Sequence, residues 1–434
     1  MKPPRLRISA AQNKSEATLD LLRMYESRNV TFMEADGSWP IVWRRARGVH
    51  VWDAEGRKYL DLTAAFGVAA AGHANPRVVR AGQKQMATLL HAMGDVHPHE
   101  LKAKLAREIG RITFERWSGK IGKTIFCNSG FEAVEAALKT ALLATGKRGI
   151  VAFEGAYHGL GYGALNATHR EHFRASFRKQ LGEFATFAPF GCSERSLRAR
   201  IKKLKSHFGA ILVEPIQARG GINIPPPEFL PMLRRVCDEH GALLILDEIY
   251  TGFGRTGRWF ACEHGGVVPD LICLGKALTG GFPLSACVGR ADIMDAWPPT
   301  EGEAIHTSTF LGHPVGCAMA LANMEEIRAK KLVERSARLG DFLIRALKNL
   351  QPSTSNLELT ARGIGLMAGI ELRKSDGSPA TERSLSAIKK MLHRGFILLP
   401  EGEHANVISF TPTLTITGRD LRRTINVLTK VLSE

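Results

Sequence analysis

The sequence predicts an α/β fold: a large domain on a mostly parallel, seven-stranded sheet, joined to a smaller α+β domain. Three observations carry that prediction. Between residues 120 and 290, short apolar runs alternate with amphipathic stretches of helical length. Several of the runs are apolar throughout, as strands covered by helices on both faces must be. The chain is 434 residues long, with 44% hydrophobic and 23% charged residues, which suits one large core and a smaller one.

Taken in order, residues 1–35 are mixed and polar, and predict a short helix at 16–26 and an arm. Segments 49–52 and 58–62 flank the turn Asp53-Ala-Glu-Gly56 and predict a hairpin. Amphipathic helices are expected at 76–90 and 100–112. The seven strands of the large sheet are expected at 124–127, 150–153, 185–190, 210–213, 242–246, 271–274 and 285–288. A long helical stretch runs from 314 to 350. Strands at 366–372, 396–399 and 407–411, with helices at 381–394 and 419–432, make the smaller unit. The expected division is an arm with part of the small domain (1–64), the large domain (65–320) and the C-terminal small domain (321–434).

The formal charge is +17, which raises nucleic acid, a membrane surface or acidic small molecules as partners. The basic residues are scattered. The densest run, 195–205, is interrupted by Leu197, Ile201 and Leu204, the spacing of an amphipathic helix with a solvated basic face. No nucleic-acid reader motif accompanies it, so no nucleic-acid partner is expected. Seven cysteines, an odd number without CxxC spacing and several in apolar runs, read as reduced core residues. No metal site is expected. The N-terminal stretch 1–7 is basic but lacks the apolar region of a secretory signal, and no run approaches a transmembrane length. The expectation is a cytoplasmic protein without a membrane partner.

In open α/β sheets, ligands bind beyond the carboxyl ends of the strands. After 124–127, Ser129-Gly-Phe-Glu132 has capping-box spacing, and a glycine in the first turn lets an anion reach the helix N-terminus. After 242–246, Asp247 stands beyond an apolar strand, where a carboxylate needs a cation or donor. After 271–274 comes Gly275-Lys276, a lysine among small and apolar residues whose amine desolvation would make nucleophilic. Singly, these have plainer explanations: an ordinary cap, a salt-bridged core acid, a snorkelling lysine. Together, an anion cradle, a buried carboxylate and a Schiff-base lysine are what pyridoxal phosphate needs. Gly252-Phe-Gly-Arg-Thr-Gly257 formally matches a dinucleotide fingerprint. The residues after it, from Arg258 to Gly266, are a poor helix start, so no dinucleotide is expected.

Asp247-Glu-Ile-Tyr-Thr-Gly-Phe-Gly-Arg-Thr-Gly257, then Pro269-Asp-Leu-Ile-Cys-Leu-Gly-Lys276 and Gly280-Gly-Phe-Pro283, closely resemble the class III (ω-) aminotransferases. Ser129-Gly-Phe-Glu132, Tyr157-His158-Gly159, Glu214-Pro-Ile-Gln217 and His306-Thr-Ser-Thr-Phe310 do so as well. The motifs stand in family order over roughly residues 40 to 430. The resemblance implies a fold type I enzyme, usually a homodimer with active sites at the subunit interface. It implies that Lys276 forms the internal aldimine and moves the proton, and that Asp247 pairs with the pyridine nitrogen. Tyr157 would stack on one ring face, Ile249 on the other, and Gln217 would lie near the ring hydroxyl. Backbone amides of Gly130 and Phe131, with Ser129, would hold the phosphate, and Thr309 would reach the neighbouring subunit's phosphate. His158 and Glu214 fall within cofactor-binding motifs. The reaction implied is ping-pong transfer from an amine donor to a keto acid or aldehyde.

Two departures bear on substrate. Many 2-oxoglutarate users in the family carry an Arg in the C-terminal strand, where Ser409 stands here, and a Glu that pairs with it, where Arg219 stands. Arg219 therefore reads either as the cation for a substrate carboxylate, approached from another direction, or as a solvated loop residue. Phe66 and Val68 are expected at the substrate pocket, with small residues at 68–70 opening it. Gly312-His-Pro-Val-Gly-Cys317 resembles the amine and diamine transaminase variant, which points to an ω-amino acid, diamine or amine donor. A racemase or aminomutase would keep Lys276 and Asp247 but need no acceptor.

Overall fold

The computed structural model describes residues 13–351 and 357–434; the basic stretch 1–7 lies outside the described residues. Strands β1 (Trp43–Arg47), β2 (His50–Asp53) and β3 (Lys58–Asp61) come first. The large sheet takes β4 (Gly122–Cys127), β5 (Gly149–Phe153), β6 (Ala185–Ala188), β7 (Phe208–Val213), β8 (Leu243–Asp247), β9 (Leu271–Leu274) and β10 (Ser285–Arg290). β11 (Leu357–Ile364), β12 (Met367–Lys374), β13 (Phe396–Ile397), β14 (Leu399–Glu401) and β15 (Val407–Phe410) complete the strands.

The seven strands lie in the order β4-β10-β9-β8-β7-β5-β6. β10 runs antiparallel to both neighbours, and every other pair is parallel. The unbroken apolar runs are explained by two cores. On β8, Leu244 and Leu246 enter one core while Leu243 and Ile245 enter the other. On β9, Ile272 and Leu274 part from Leu271 and Cys273 in the same way. Side chains alternate across the sheet, so a strand buried on both faces must be apolar at every position. Helix Gly130–Thr145 covers one face with Ala133, Ala136, Ala137 and Ala141, whose small side chains permit close approach. Helix Glu194–Leu204 buries Leu197 and Ile201, and its Arg198 is paired with Glu194 and Glu239, as a solvated basic face requires.

Two four-stranded sheets flank this layer, ordered β1-β2-β3-β13 and β11-β12-β15-β14. The segment expected as one strand at 396–399 divides. β13 pairs in parallel with β3, whereas β14 pairs antiparallel with β15, so a single run of chain joins both small sheets. The helical stretch 314–350 also divides, into Pro314–Ala329 and Leu332–Lys348, at Lys331 with φ 48°. No Gly or Pro marks that break. Beyond the break, Arg335 donates to the backbone carbonyls of Leu414 and Ile416, tying the second helix to the C-terminal part. β1 is polar and mostly exposed, and β11 has no fully buried position, so neither is marked by an apolar run.

The glycine-rich 252–257 opens no helix; the next helical turn is the short Ala261–His264. Its Arg255 is 2% exposed and donates to Leu366 O and Pro412 O of the C-terminal part. The Arg255 carbonyl accepts from Leu366 N and Ser336 Oγ. The motif is thus a strap between the large sheet and the C-terminal elements. Arg255→Ala would strand two buried carbonyls, and is expected to lower unfolding free energy by roughly 3 kcal/mol. Urea unfolding of parent and variant checks this, and an unchanged midpoint would refute the strap.

Candidate active site

The carboxyl ends of the central strands open on one cavity of about 610 Å³. The order of the sheet brings together segments far apart in sequence. Helix Gly130–Thr145 starts just after β4, Tyr157 and His158 come after β5, and Glu214 comes after β7. Asp247 is the last residue of β8, and Lys276 stands two residues past β9. Gly130, Phe131, Tyr157, His158 and Glu214 line the cavity, and so do Asp247, Ile249 and Lys276.

Asp247 is 5% exposed and is held from two sides. Its Oδ2 lies 2.8 Å from His158 Nδ1, and its Oδ1 accepts from the Ile249 amide at 3.1 Å. That contact suits an Nδ1–H donating to the carboxylate, and the buried Nε2 on the other side of the ring has no partner among the described residues. The His158 amide is anchored to Thr168 Oγ1 at 3.0 Å. Lys276 has a left-handed backbone, φ 41°, and burial holds its amine below the usual lysine range, with Asp247 and Glu214 partly offsetting that. Glu214 accepts from the amides of Tyr157 and Ala218 at 3.0 and 3.2 Å. Burial, with the Asp247 charge adding to it, pushes its carboxyl up to about 7.

The start of helix Gly130–Thr145 is shaped for an anion. Glu132 turns back to accept from the amides of Asn128 and Ser129 at 2.6 and 3.1 Å. Ser129 Oγ faces the first turn, yet this buried hydroxyl makes no aligned hydrogen bond among the described residues. A Cβ at Gly130 would press on Ile249 at 3.0 Å, and one at Gly159 would come within 2.3 Å of Phe131. Both glycines therefore keep the cradle's walls at contact distance.

Two of the expected substrate residues also face the cavity. Arg219 Cζ lies 5.8 Å from the Tyr157 ring and 5.9 Å from the Phe66 ring. Its NH1 pairs with Glu401 Oε2 at 3.3 Å. Glu401 is 3% exposed, and burial raises its carboxyl to about 7 even with Arg219 beside it. Phe66 is presented by a left-handed turn, Ala64, Ala65 and Phe66 having φ of 47°, 50° and 60°. Left-handed backbone costs roughly 1–2 kcal/mol per residue with a Cβ. The buried Asp61 holds it there, accepting from Thr63, from the Ala65 amide and from His73 Nε2.

Other expected residues are turned elsewhere. Gln217 does not face the cavity: its Nε2 donates to Glu154 O at 2.7 Å and its Oε1 accepts from Asn223 at 3.1 Å. The polar group that the same turn does present is Glu214. Ser409 is committed to Leu399 O at 3.0 Å, and Val68 lies outside the lining. Thr309, expected at the neighbouring subunit's phosphate, is exposed on the 305–310 loop and does not line its own subunit's cavity. Tyr250 and Glu401 line or back the cavity, although sequence reasoning missed both. Tyr250 lies next to Ile249 in the Asp247–Gly257 motif, whereas nothing local to Pro400-Glu401-Gly402 signals a site residue.

An amine, a carboxylate and an anion cradle around one cavity suit chemistry on a phosphorylated aldehyde. Known proteins point the same way. The family described as aminotransferase class-III matches residues 32–432. An acetylornithine aminotransferase of Methanosarcina acetivorans is 40% identical over 341 residues, covering 79% of this chain and 81% of the relative. A putrescine aminotransferase of Pectobacterium atrosepticum is 37% identical over 401 residues, covering 91% and 82%. The crystal structure of a transaminase from a marine Virgibacillus superposes with TM-score 0.88 at 25% identity, covering 96% of this chain and 98% of that one. Among the described residues, no helix is long and apolar enough to cross a membrane. With its match across nearly the whole chain and the lysine and carboxylate at the ends of adjacent strands, this protein belongs to the class-III aminotransferases, enzymes that work with pyridoxal 5'-phosphate.

Proposed function

We propose that this aminotransferase moves an amino group from an ω-amino acid, diamine or amine donor to a keto acid or aldehyde, with Lys276 as its reacting amine. The observation that carries the assignment is Lys276, desolvated beside Asp247 and Glu214 in the cavity that also holds the helix N-terminus. The site fits the cofactor. The unpartnered Ser129 hydroxyl and the free first-turn amides suit a phosphate, and the buried, doubly held Asp247 suits a protonated pyridine nitrogen. Bound there, pyridoxal phosphate supplies an aldehyde and an electron sink for the carbanion left by proton removal.

The chain's own residues do the rest. Lys276, its basicity lowered by burial, is the nucleophile and the group that takes and returns the donor's proton. Asp247 presents its carboxylate to the ring nitrogen, and His158 keeps Asp247 in place. Tyr157 and Ile249 bound the two sides of the ring site. Arg219 meets an acceptor carboxylate and leaves Glu401 to do so. Phe66, held by its left-handed turn, shapes the donor side. The diamine named for one relative supports an ω-amino donor.

We assign a homodimer and a cytoplasmic location to the same reading. Leu90, Met93 and Val96 are 60%, 55% and 59% exposed, and Ile305 and Phe310 are 69% and 54% exposed. The two segments touch, through the His91 and Phe310 rings at 5.4 Å and through Thr307 to Asp95 at 2.6 Å. These exposed apolar side chains stand on two touching segments, the second of which carries Thr309, and a partner subunit would cover them. Seven free cysteines, six of them buried, suit a reducing compartment.

Three outcomes test this reading. First, the purified enzyme should show a visible band that bleaches with its amine donors when no acceptor is present. Lys276→Ala should abolish that band and lower turnover at least about a thousandfold; a band that persists with every amine would overturn amino transfer to the cofactor. Second, Arg219 leaving Glu401 raises that carboxyl's proton affinity above its value of about 7, so acceptor binding takes up a proton. KM for pyruvate should therefore rise as pH climbs above 7, and Glu401→Gln should remove that slope. Equal profiles in parent and variant would exclude Arg219 from carboxylate binding. Third, Phe310→Asp should halve the mass seen by light scattering and weaken cofactor retention, whereas an unchanged dimer would move the interface elsewhere.

A further inference from the structure

One wall of the cavity holds an aromatic ring that the proposed mechanism leaves unused. Tyr250 is 9% exposed, and Lys276 Nζ sits 4.6 Å from its ring centroid. A cation over a tyrosine face is attracted by the negative face of the ring. Lys276 Nζ has no hydrogen-bond partner among the described residues, and this ring face is the close contact it makes.

The ring itself is fixed at both ends. Its hydroxyl donates to Thr411 Oγ1 at 3.1 Å, and Thr411 Oγ1 donates on to Thr63 O at 3.2 Å. On the flank, Gly67 closes the left-handed turn with φ +80°, and a Cβ there would come within 2.8 Å of Tyr250 Cε1. The turn braced by Asp61 and His73 thus sets Phe66 in the cavity and seats Tyr250 under the lysine. Several charges act on Lys276 as well. Asp247, Glu214 and Glu401 favour its ammonium form, while Arg219 and burial oppose it.

We propose that Tyr250 is a positioning residue for Lys276, its ring face holding the protonated side chain in the cavity whenever the amine is not covalently engaged. A neutral ring serves this purpose better than a carboxylate. It attracts the ammonium without a hydrogen bond, so the lysine swings back to react without breaking a salt bridge. The inference rests on Lys276 being the reacting amine.

The experiment has two steps on the full chain. Borohydride reduction of the loaded enzyme, followed by peptide mass spectrometry, identifies the lysine that holds the cofactor. Competitive acetylation of that lysine across pH, after cofactor removal, then gives its titration midpoint. Tyr250→Phe keeps the ring and should leave the midpoint in place. Tyr250→Leu removes the ring face and should lower the midpoint by about one unit, a tenfold change in the protonation equilibrium. Tyr250→Met, which refills more of the volume, gives the same comparison if the leucine variant fails to fold. A purely structural role would change melting temperature in these variants but not the midpoint. Capture of Lys276 with an unmoved midpoint would overturn the proposal alone. Capture of another lysine would overturn the reading beneath it, and the proposal with it.

Discussion

An amine and a carboxylate, the half-buried Lys276 and the buried Asp247, stand at the edge of a sheet whose strands are otherwise apolar. Burying an unpaired charge is expensive, so their surroundings are organised to answer it. Asp247 receives a hydrogen bond from His158 and another from the Ile249 amide, and His158 is anchored in turn through Thr168. Lys276 is offset by the charges of Asp247 and Glu214 and rests over Tyr250. The same desolvation that must be offset is what lowers the amine's basicity, so stability and reactivity draw on one cause.

The cavity lies at the seam between the large sheet and the C-terminal elements, and arginines close that seam. Arg255 fastens the glycine-rich strap to Leu366 and Pro412. Arg362 donates to Gly221 O and Ile222 O, fixing the loop that carries Arg219. Gly402 N reaches the Arg219 carbonyl at 3.1 Å, next to Glu401, whose carboxylate faces the guanidinium. The Arg219–Glu401 pair thus stands where two parts of the chain meet, and its position is set by both.

Much of this was legible in the sequence because its signals are local. The seven strands are visible as apolar runs, since burial on both faces forbids polar interruption. The helix opened by Ser129-Gly130, the acid at the end of β8 and the lysine after β9 each stand directly at a strand end. Gln217, marked by the motif, has its amide engaged by Glu154 O and Asn223, whereas Glu214 on the same turn lines the cavity, and the motif alone does not tell the two apart. The break at Lys331 and the division of 396–401 between two sheets carry no local mark, and partner strands decide the second.

The sequence by itself determined the α/β class, the sheet's strands and the trio of helix start, Asp247 and Lys276. Those depend on hydrophobic periodicity and on the residues just beyond each strand, properties that neighbours in the chain possess before folding. Only the tertiary structure decided that Glu401 pairs with Arg219, that Asp61 braces a left-handed turn and that Tyr250 lies beneath Lys276. These contacts join residues as far apart as 219 and 401. They exist because packed sheets bring the segments to one cavity, and no spacing along the chain encodes them.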